Sequence, residues 1–167
     1  LNIGDKIGVG KKFTGMFTLD QLEGDKNIVL IATGTGVAPY MSMLRSDALK
    51  KNHKICVVHG ASNSWDLGYS SELRLLESLH EHFSYIPTIL FPDKEPVPWG
   101  GLTKFVQDIY KDGDVQKEMG VEMTAENTHV FLCGNPGMIN EVTGLLEGQG
   151  FKEHKKREPG NIHSEKF

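Results

Sequence analysis

From Asn27 onward the chain alternates short apolar runs with longer stretches of helical spacing, and this alternation restricts the fold more than any other feature. The runs IVLIA (28–32), KICVVHG (54–60), SYIPTILF (84–91) and THVFLCG (128–134) have strand length. Residues 38–51, 70–83, 102–110 and 136–150 read as helices. Tyr40, Met43 and Leu44 share one face of the first helix, and Leu73, Leu76 and Leu79 one face of the second, which Ser70 is placed to cap. Pro87 weakens the start of the third strand, and 92–101 is a Pro-rich loop. Residues 112–127 are polar, with only local structure expected. Residues 151–167 are polar and strand-like in places. Strands that are apolar almost throughout belong to a parallel sheet covered on both faces. The expected fold is therefore α/β, a three-layer sandwich with a parallel sheet between helices, five-stranded when a strand-like part of 151–167 joins the four runs. In such sheets ligands bind beyond the carboxyl ends of the strands, where the winding reverses.

Composition narrows the functions such a sheet could serve. Across 167 residues the chain is 38% hydrophobic and 24% charged, with a net charge of −4 and no basic block, so nucleic acid is not an expected partner. No apolar run approaches the roughly 18 residues of a membrane helix, and no membrane association is expected. Cys56 and Cys133 lie inside apolar strands and read as buried thiols, which fits a reducing cytoplasm. His80 and His82, spaced i, i+2, point to different sides of a helix, and no metal is expected. Residues 1–24 differ from the rest: they are Gly-rich, with short β-like pieces at 7–9 and 16–19, too little to form a sheet alone. They read as the exit from a preceding β domain. The first residue is Leu rather than Met, so the chain is expected to be an internal piece of a longer polypeptide.

Three strand ends carry the candidate chemistry. The first is VLIATGTGVAPYMSML, where Thr33, Gly34, Thr35 and Gly36 join a strand to a helix. Glycine permits positive φ and lets a ligand approach the main chain. The helix that follows offers free N–H groups and a positive dipole end, suited to pyrophosphate. Pro39 suits a first helical turn. The pattern is neither G-x-G-x-x-G nor a P-loop. The second is VVHGASNS, with His59, Gly60, Ser62 and Asn63; a nucleotide-binding sheet commonly reads the ribose there, but no Asp or Glu stands at this tip. The third is FLCGNPGM, with Cys133, Gly134 and Asn135 opening a helix. No base is evident beside Cys133 to make it a nucleophile.

Taken in order, GTGVAP, HGASNSWDLGYSSEL, CGNPGMI and REPGNIHSEKF resemble the nucleotide half of the bacterial ferredoxin/flavodoxin–NADP⁺ reductases. The resemblance runs over the whole chain. It implies that 1–24 is the tail of a flavin-binding β-barrel and 25–167 an NAD(P)-binding domain, with FAD held mainly by the barrel and ferredoxin or flavodoxin as electron partner. It implies that Thr33 to Gly36, with Val37 to Pro39, hold the pyrophosphate and approach the nicotinamide, and that His59 to Asn63 lie near the adenosine ribose. Cys133, Gly134, Asn135 and Met138 would line the nicotinamide side, Cys133 and Glu165 being the catalytic candidates, and Phe167 would stand near the flavin. Hydride would pass directly between nicotinamide C4 and flavin N5, with the protein positioning the rings.

The chain departs from that family at three places. Where NADP-preferring members often carry Arg, it has Ala61-Ser62-Asn63, Phe91-Pro92-Asp93 and Leu102. Arg suits a 2′-phosphate because its fork binds two oxygens, and Lys94 and Lys104 are the cations left to substitute. Either NADP or NAD is thus expected as cofactor. The family's usual final Trp is also missing, the last residue being Phe167. The alternative reading is a non-catalytic nucleotide-binding module, or an electron-transfer subunit that uses a partner's flavin.

Overall fold

The computed structural model describes residues 2–11, 17–20 and 22–166. Its centre is a five-stranded, wholly parallel sheet: β1 (Asn27–Thr33), β2 (Lys54–Ala61), β3 (Phe83–Ile89), β4 (Thr128–Gly134) and β5 (Ile162–Lys166), in the order β3-β2-β1-β4-β5. The first three strands step outward from β1 in one direction. The chain then crosses back to place β4 on the other side of β1. The winding reverses between β1 and β4, which puts a crevice at their carboxyl ends.

The expected three layers are present, and the two-residue period of the strands sorts the core. Ile28, Leu30 and Ala32 of β1, with Phe131 and Cys133 of β4, face α1 (Val37–Leu44) and α2 (Ser70–Leu79). Val29 and Ile31, with Val130 and Leu132, face α3 (Val106–Lys111), α4 (Asp114–Met119) and α5 (Pro136–Gly148). Each fully buried Ile or Leu of this kind contributes about 1.5–3 kcal/mol. Phe17, Leu19 and Leu22 pack on the α1 side, so the segment before the sheet is fastened to the domain.

Several boundaries differ from those read in the sequence, each for a local reason. The first helix ends at Leu44 rather than running to residue 51, and a separate 3-10 turn follows at Ala48–Lys50. The second ends at Leu79, because His80 is extended. Ser70 is its first residue and not its cap; that place belongs to Tyr69, in the left-handed region. The third helix begins at Val106 instead of 102, because Leu102 is bonded to β3 through the Ile89 N–H and the Thr88 hydroxyl. Residues 112–127 contain α4, whose Val115 and Met119 reach the core, with left-handed Gly113 and Gly120 at its ends. Pro87 lies inside β3, and the sheet tolerates it because β3 is an edge strand. Residues 7–9 are exposed main chain without strand pairing, since no neighbouring strand accompanies them; of the expected piece at 16–19, residue 16 lies outside the described residues and 17–19 form no strand.

Candidate functional site

At the β1 tip the main chain passes from Thr33 into a 3-10 turn, Gly34–Gly36, and straight into α1. The two glycines are required for different reasons. Gly34 has φ +54, which side chains resist. Gly36 has an ordinary helical φ of −59, but a Cβ there would drive into the Cys133 carbonyl. Close approach to the β4 tip, not torsion, demands the second glycine. Gly134 combines both constraints: φ is +129, and a Cβ would overlap Thr33. The β1 and β4 tips are thus interlocked at van der Waals limits. The Thr33 hydroxyl fastens them further by accepting the Asn135 N–H at 2.9 Å. Asn135 itself caps α5, its carboxamide oxygen accepting from Gly137 N (2.8 Å) and Met138 N (3.2 Å), with Pro136 in the first turn. α1 has no side-chain cap, so its amino end is left to a ligand or solvent.

His59 supports the turn from below. It is fully buried, and its Nε2 lies 2.9 Å from the Gly34 carbonyl. A carbonyl only accepts, so Nε2 carries the proton and Nδ1 faces the Tyr85 hydroxyl at 3.5 Å. Burial lowers the His59 pKa against a smaller opposing effect of the Gly34 bond, and the ring is neutral at pH 7.

These tips border a cavity of about 870 Å³, within the size range of cofactor sites. Of the residues picked out in the sequence, Thr33, Gly34, Thr35, Val37, Gly60, Ser62, Asn135 and Met138 line it. Gly36, Gly134 and His59 shape its wall without being among its lining. Pro39 is half-buried one step further along α1. Asn63 is buried and spends its amide on the Phe91 carbonyl (3.3 Å) and on Glu95 (3.4 Å). Cys133 is buried on the α1 side of the sheet, outside the cavity lining, and stands in register with the exposed Glu165 of β5. Its thiol is pushed up to about 11, by burial first and by Glu165 second, so it is no thiolate at neutral pH. Phe167 lies outside the described residues.

Sequence reasoning found nothing of the far wall beyond Lys104. Thr88 and Leu90 of the β3 end, Lys104 to Gln107 at the start of α3, and Asp66, Gly68 and Tyr69 before α2 supply it. The α3 residues could not be found from a misplaced helix start. Tyr69 is the one non-glycine residue with positive φ among those described (+61), held with the Arg45 guanidinium 5.3 Å from its ring centre. Nothing in the letters around a Tyr announces such strain. Tyr40 was seen only as part of a helix face. It is fully buried, with its hydroxyl between β1 and β4, and its pKa is raised by burial first, then by Cys133 and Glu165.

Comparison with known proteins agrees with this geometry. Residues 30–144 match the model of the oxidoreductase NAD-binding domain. This chain belongs to that family. Its NAD-binding domain is 31% identical to the flavodoxin/ferredoxin–NADP reductase of Buchnera aphidicola, over 100% of this chain and 67% of the relative. It is 30% identical to the Escherichia coli reductase of the same name, over 85% of this chain and 56% of the relative. Among solved structures, a ferredoxin NADP⁺ reductase from Neisseria gonorrhoeae with bound FAD and NADP superposes at a TM-score of 0.78, with 25% identity, covering 92% of this chain and 61% of that one. The domain thus spans between 56% and 67% of the length of these relatives.

The residues present fit a dinucleotide. The cavity is long enough to touch the β1, β2, β3 and β4 ends, and glycine stands wherever a Cβ would close the turn. Among the described residues no helix is long and apolar enough to cross a membrane, and no cluster of three or more His, Cys, Asp or Glu is arranged to hold a metal.

Proposed function

We propose that this domain binds a nicotinamide dinucleotide across the β1–β4 crevice and presents its nicotinamide to an FAD held mainly by a neighbouring domain, with ferredoxin or flavodoxin exchanging electrons with that flavin. The reading rests on one observation: the tips of β1, β2 and β4 converge on a single cavity, and the glycines where β1 meets β4 bring main chain together without room for a Cβ. When bound, the nicotinamide would supply or accept a hydride, with the flavin ring as the other party.

The chain's own residues position and shield. The Gly34–Gly36 turn and the uncapped start of α1 hold the pyrophosphate through main-chain N–H groups. Ser62, exposed at the β2 tip, meets the adenosine ribose. Asn135 and Met138 close the nicotinamide end. Glu165 stands exposed where the flavin would approach, and Cys133, in register with it, is buried behind as a protonated packing thiol rather than a nucleophile. Residues 1–24 continue into the flavin-binding β-barrel. The two free cysteines, both buried, suit the reducing cytoplasm where we place the protein.

Calorimetric titration of the 167-residue chain with NADH and NADPH tests the reading. The expected affinity of at least one is on the order of micromolar to millimolar. Gly36→Val should abolish it. Absence of binding by both nucleotides to the folded chain would refute the proposal.

A further inference from the structure

The β2 tip has no acidic residue of its own, yet the fold brings one there. Glu95, from the loop after β3, accepts the Ser64 N–H at 2.8 Å and also the Ser64 hydroxyl, while Asn63 donates to it at 3.4 Å. The main chain of Ser62 is fastened to the same loop, its carbonyl accepting from Leu90 N at 3.2 Å and Phe91 N at 3.0 Å. The donors that an anion beyond Ser62 would need, the Ser64 N–H and the Asn63 amide, are therefore already turned onto a carboxylate.

The cations are elsewhere engaged. Asp66 and Lys104 are the charged residues among those lining the cavity. Lys104 is bound through Nζ to Asp112 at 2.8 Å and Asp114 at 2.9 Å. Lys94 lies over the Phe91 ring, 4.4 Å from its centre. Arg45, behind Tyr69, is paired with Glu72. Of these three cations only Lys94 has no carboxylate partner, and its ammonium is turned onto the Phe91 ring.

On the reading that the cavity holds a nicotinamide dinucleotide, we propose that Glu95 sets its specificity: the carboxylate placed behind Ser62–Ser64 disfavours a 2′-phosphate, and the domain takes NADH in preference to NADPH. A ribose 2′-hydroxyl is a neutral donor, which a nearby carboxylate favours. A 2′-phosphate carries close to two negative charges, and the one cation lining the cavity among the described residues, Lys104, is already paired with two carboxylates. Glu95 remains ionised near neutral pH, since the Ser64 hydroxyl bond lowers its pKa against a smaller opposing effect of burial, with the Ser64 N–H and Asn63 adding to the lowering. The relatives named above are called NADP reductases; the resemblance read from the sequence sets Ala61-Ser62-Asn63 where NADP-preferring members often carry Arg.

The test is paired calorimetry of the full chain with NADH and NADPH at low ionic strength, repeated for Glu95→Gln and Ser62→Arg. The wild-type chain should bind NADH about tenfold more tightly. Glu95→Gln keeps the shape of the side chain and should shrink that ratio at least threefold; Ser62→Arg should shrink or reverse it by a second route. Damage to the loop alone would weaken both nucleotides together and leave the ratio where it was. A wild-type ratio below threefold, or one that Glu95→Gln leaves unchanged, overturns the proposal while the nucleotide site stands. Binding of neither nucleotide by the wild-type chain overturns the site itself, and this inference with it.

Discussion

The Tyr40 hydroxyl of α1 lies 2.8 Å from the Ile31 carbonyl of β1 and 2.8 Å from the Phe131 carbonyl of β4. One proton serves two acceptors on the two strands that flank the reversal of winding. The helix whose amino end faces the cavity is thereby fixed to both strands that form its floor. A buried hydroxyl in this position has no water to fall back on, so its bonds must be made within the protein.

Tyr40→Phe should therefore cost about 1 kcal/mol of stability with the fold intact. Urea unfolding with an unchanged slope would measure it. An unaltered midpoint would show that the strand ladder alone satisfies both carbonyls.

Gly36→Ala separates close approach from torsion. Its φ of −59 suits alanine, so any loss of binding must come from the overlap of Cβ with the Cys133 carbonyl. The variant should fold and should bind nucleotide at least tenfold more weakly, as the β1 and β4 tips are pushed apart. Wild-type affinity would mean that the crevice yields without consequence.

The two thiols should be slow to alkylate. Burial raises the pKa of Cys56, and burial followed by Glu165 raises that of Cys133 to about 11. Iodoacetamide at pH 7.5 should modify the native chain far more slowly than the chain in urea, because the thiolate is the reacting form. Rapid native labelling of Cys133 would show an open, ionised thiol and contradict its placement.

Acid should destabilise the sheet at the β4–β5 edge. His129 Nδ1 lies 3.1 Å from His163 Nε2, and His163 stacks between Phe131 and His154. Burial, followed by Lys26 and the neighbouring His154 and His53, lowers His129 to about 4; burial, then His129 and His154, lowers His163 to about 3. Unfolded histidines bind protons near pH 6.5, so between pH 6.5 and 4 the unfolded chain takes up more protons than the folded one. Stability should therefore fall as pH drops through that window and be flat above it. His163→Phe keeps a ring against Phe131 and should flatten the slope. A thermal midpoint equal at pH 7 and pH 5 in the wild-type chain would contradict this.

Much of the architecture was legible because strand and helix have different periods. Runs such as IVLIA and VFLC leave no polar face, which only a sheet covered on both sides accepts. The glycine turn was legible because two glycines between a strand and a helix mark positive φ or a close approach of main chain. Helix ends were less legible. Leu102 looks like the start of a helix until β3 claims its carbonyl, and Leu79 continues a helical pattern that the turn at His80 interrupts.

The sequence by itself determined the strands, the helical stretches between them and the glycine-bearing strand ends, because periodicity and glycine act over a few residues. Only the tertiary structure decided which groups those tips meet. Glu95 reaches Ser64 across 31 positions of the chain, Tyr40 reaches Phe131 across 91, and Asn135 reaches Thr33 across 102. Charge repulsion, buried hydrogen bonds and van der Waals overlap depend on distance in space, and that distance exists only once the strands are paired.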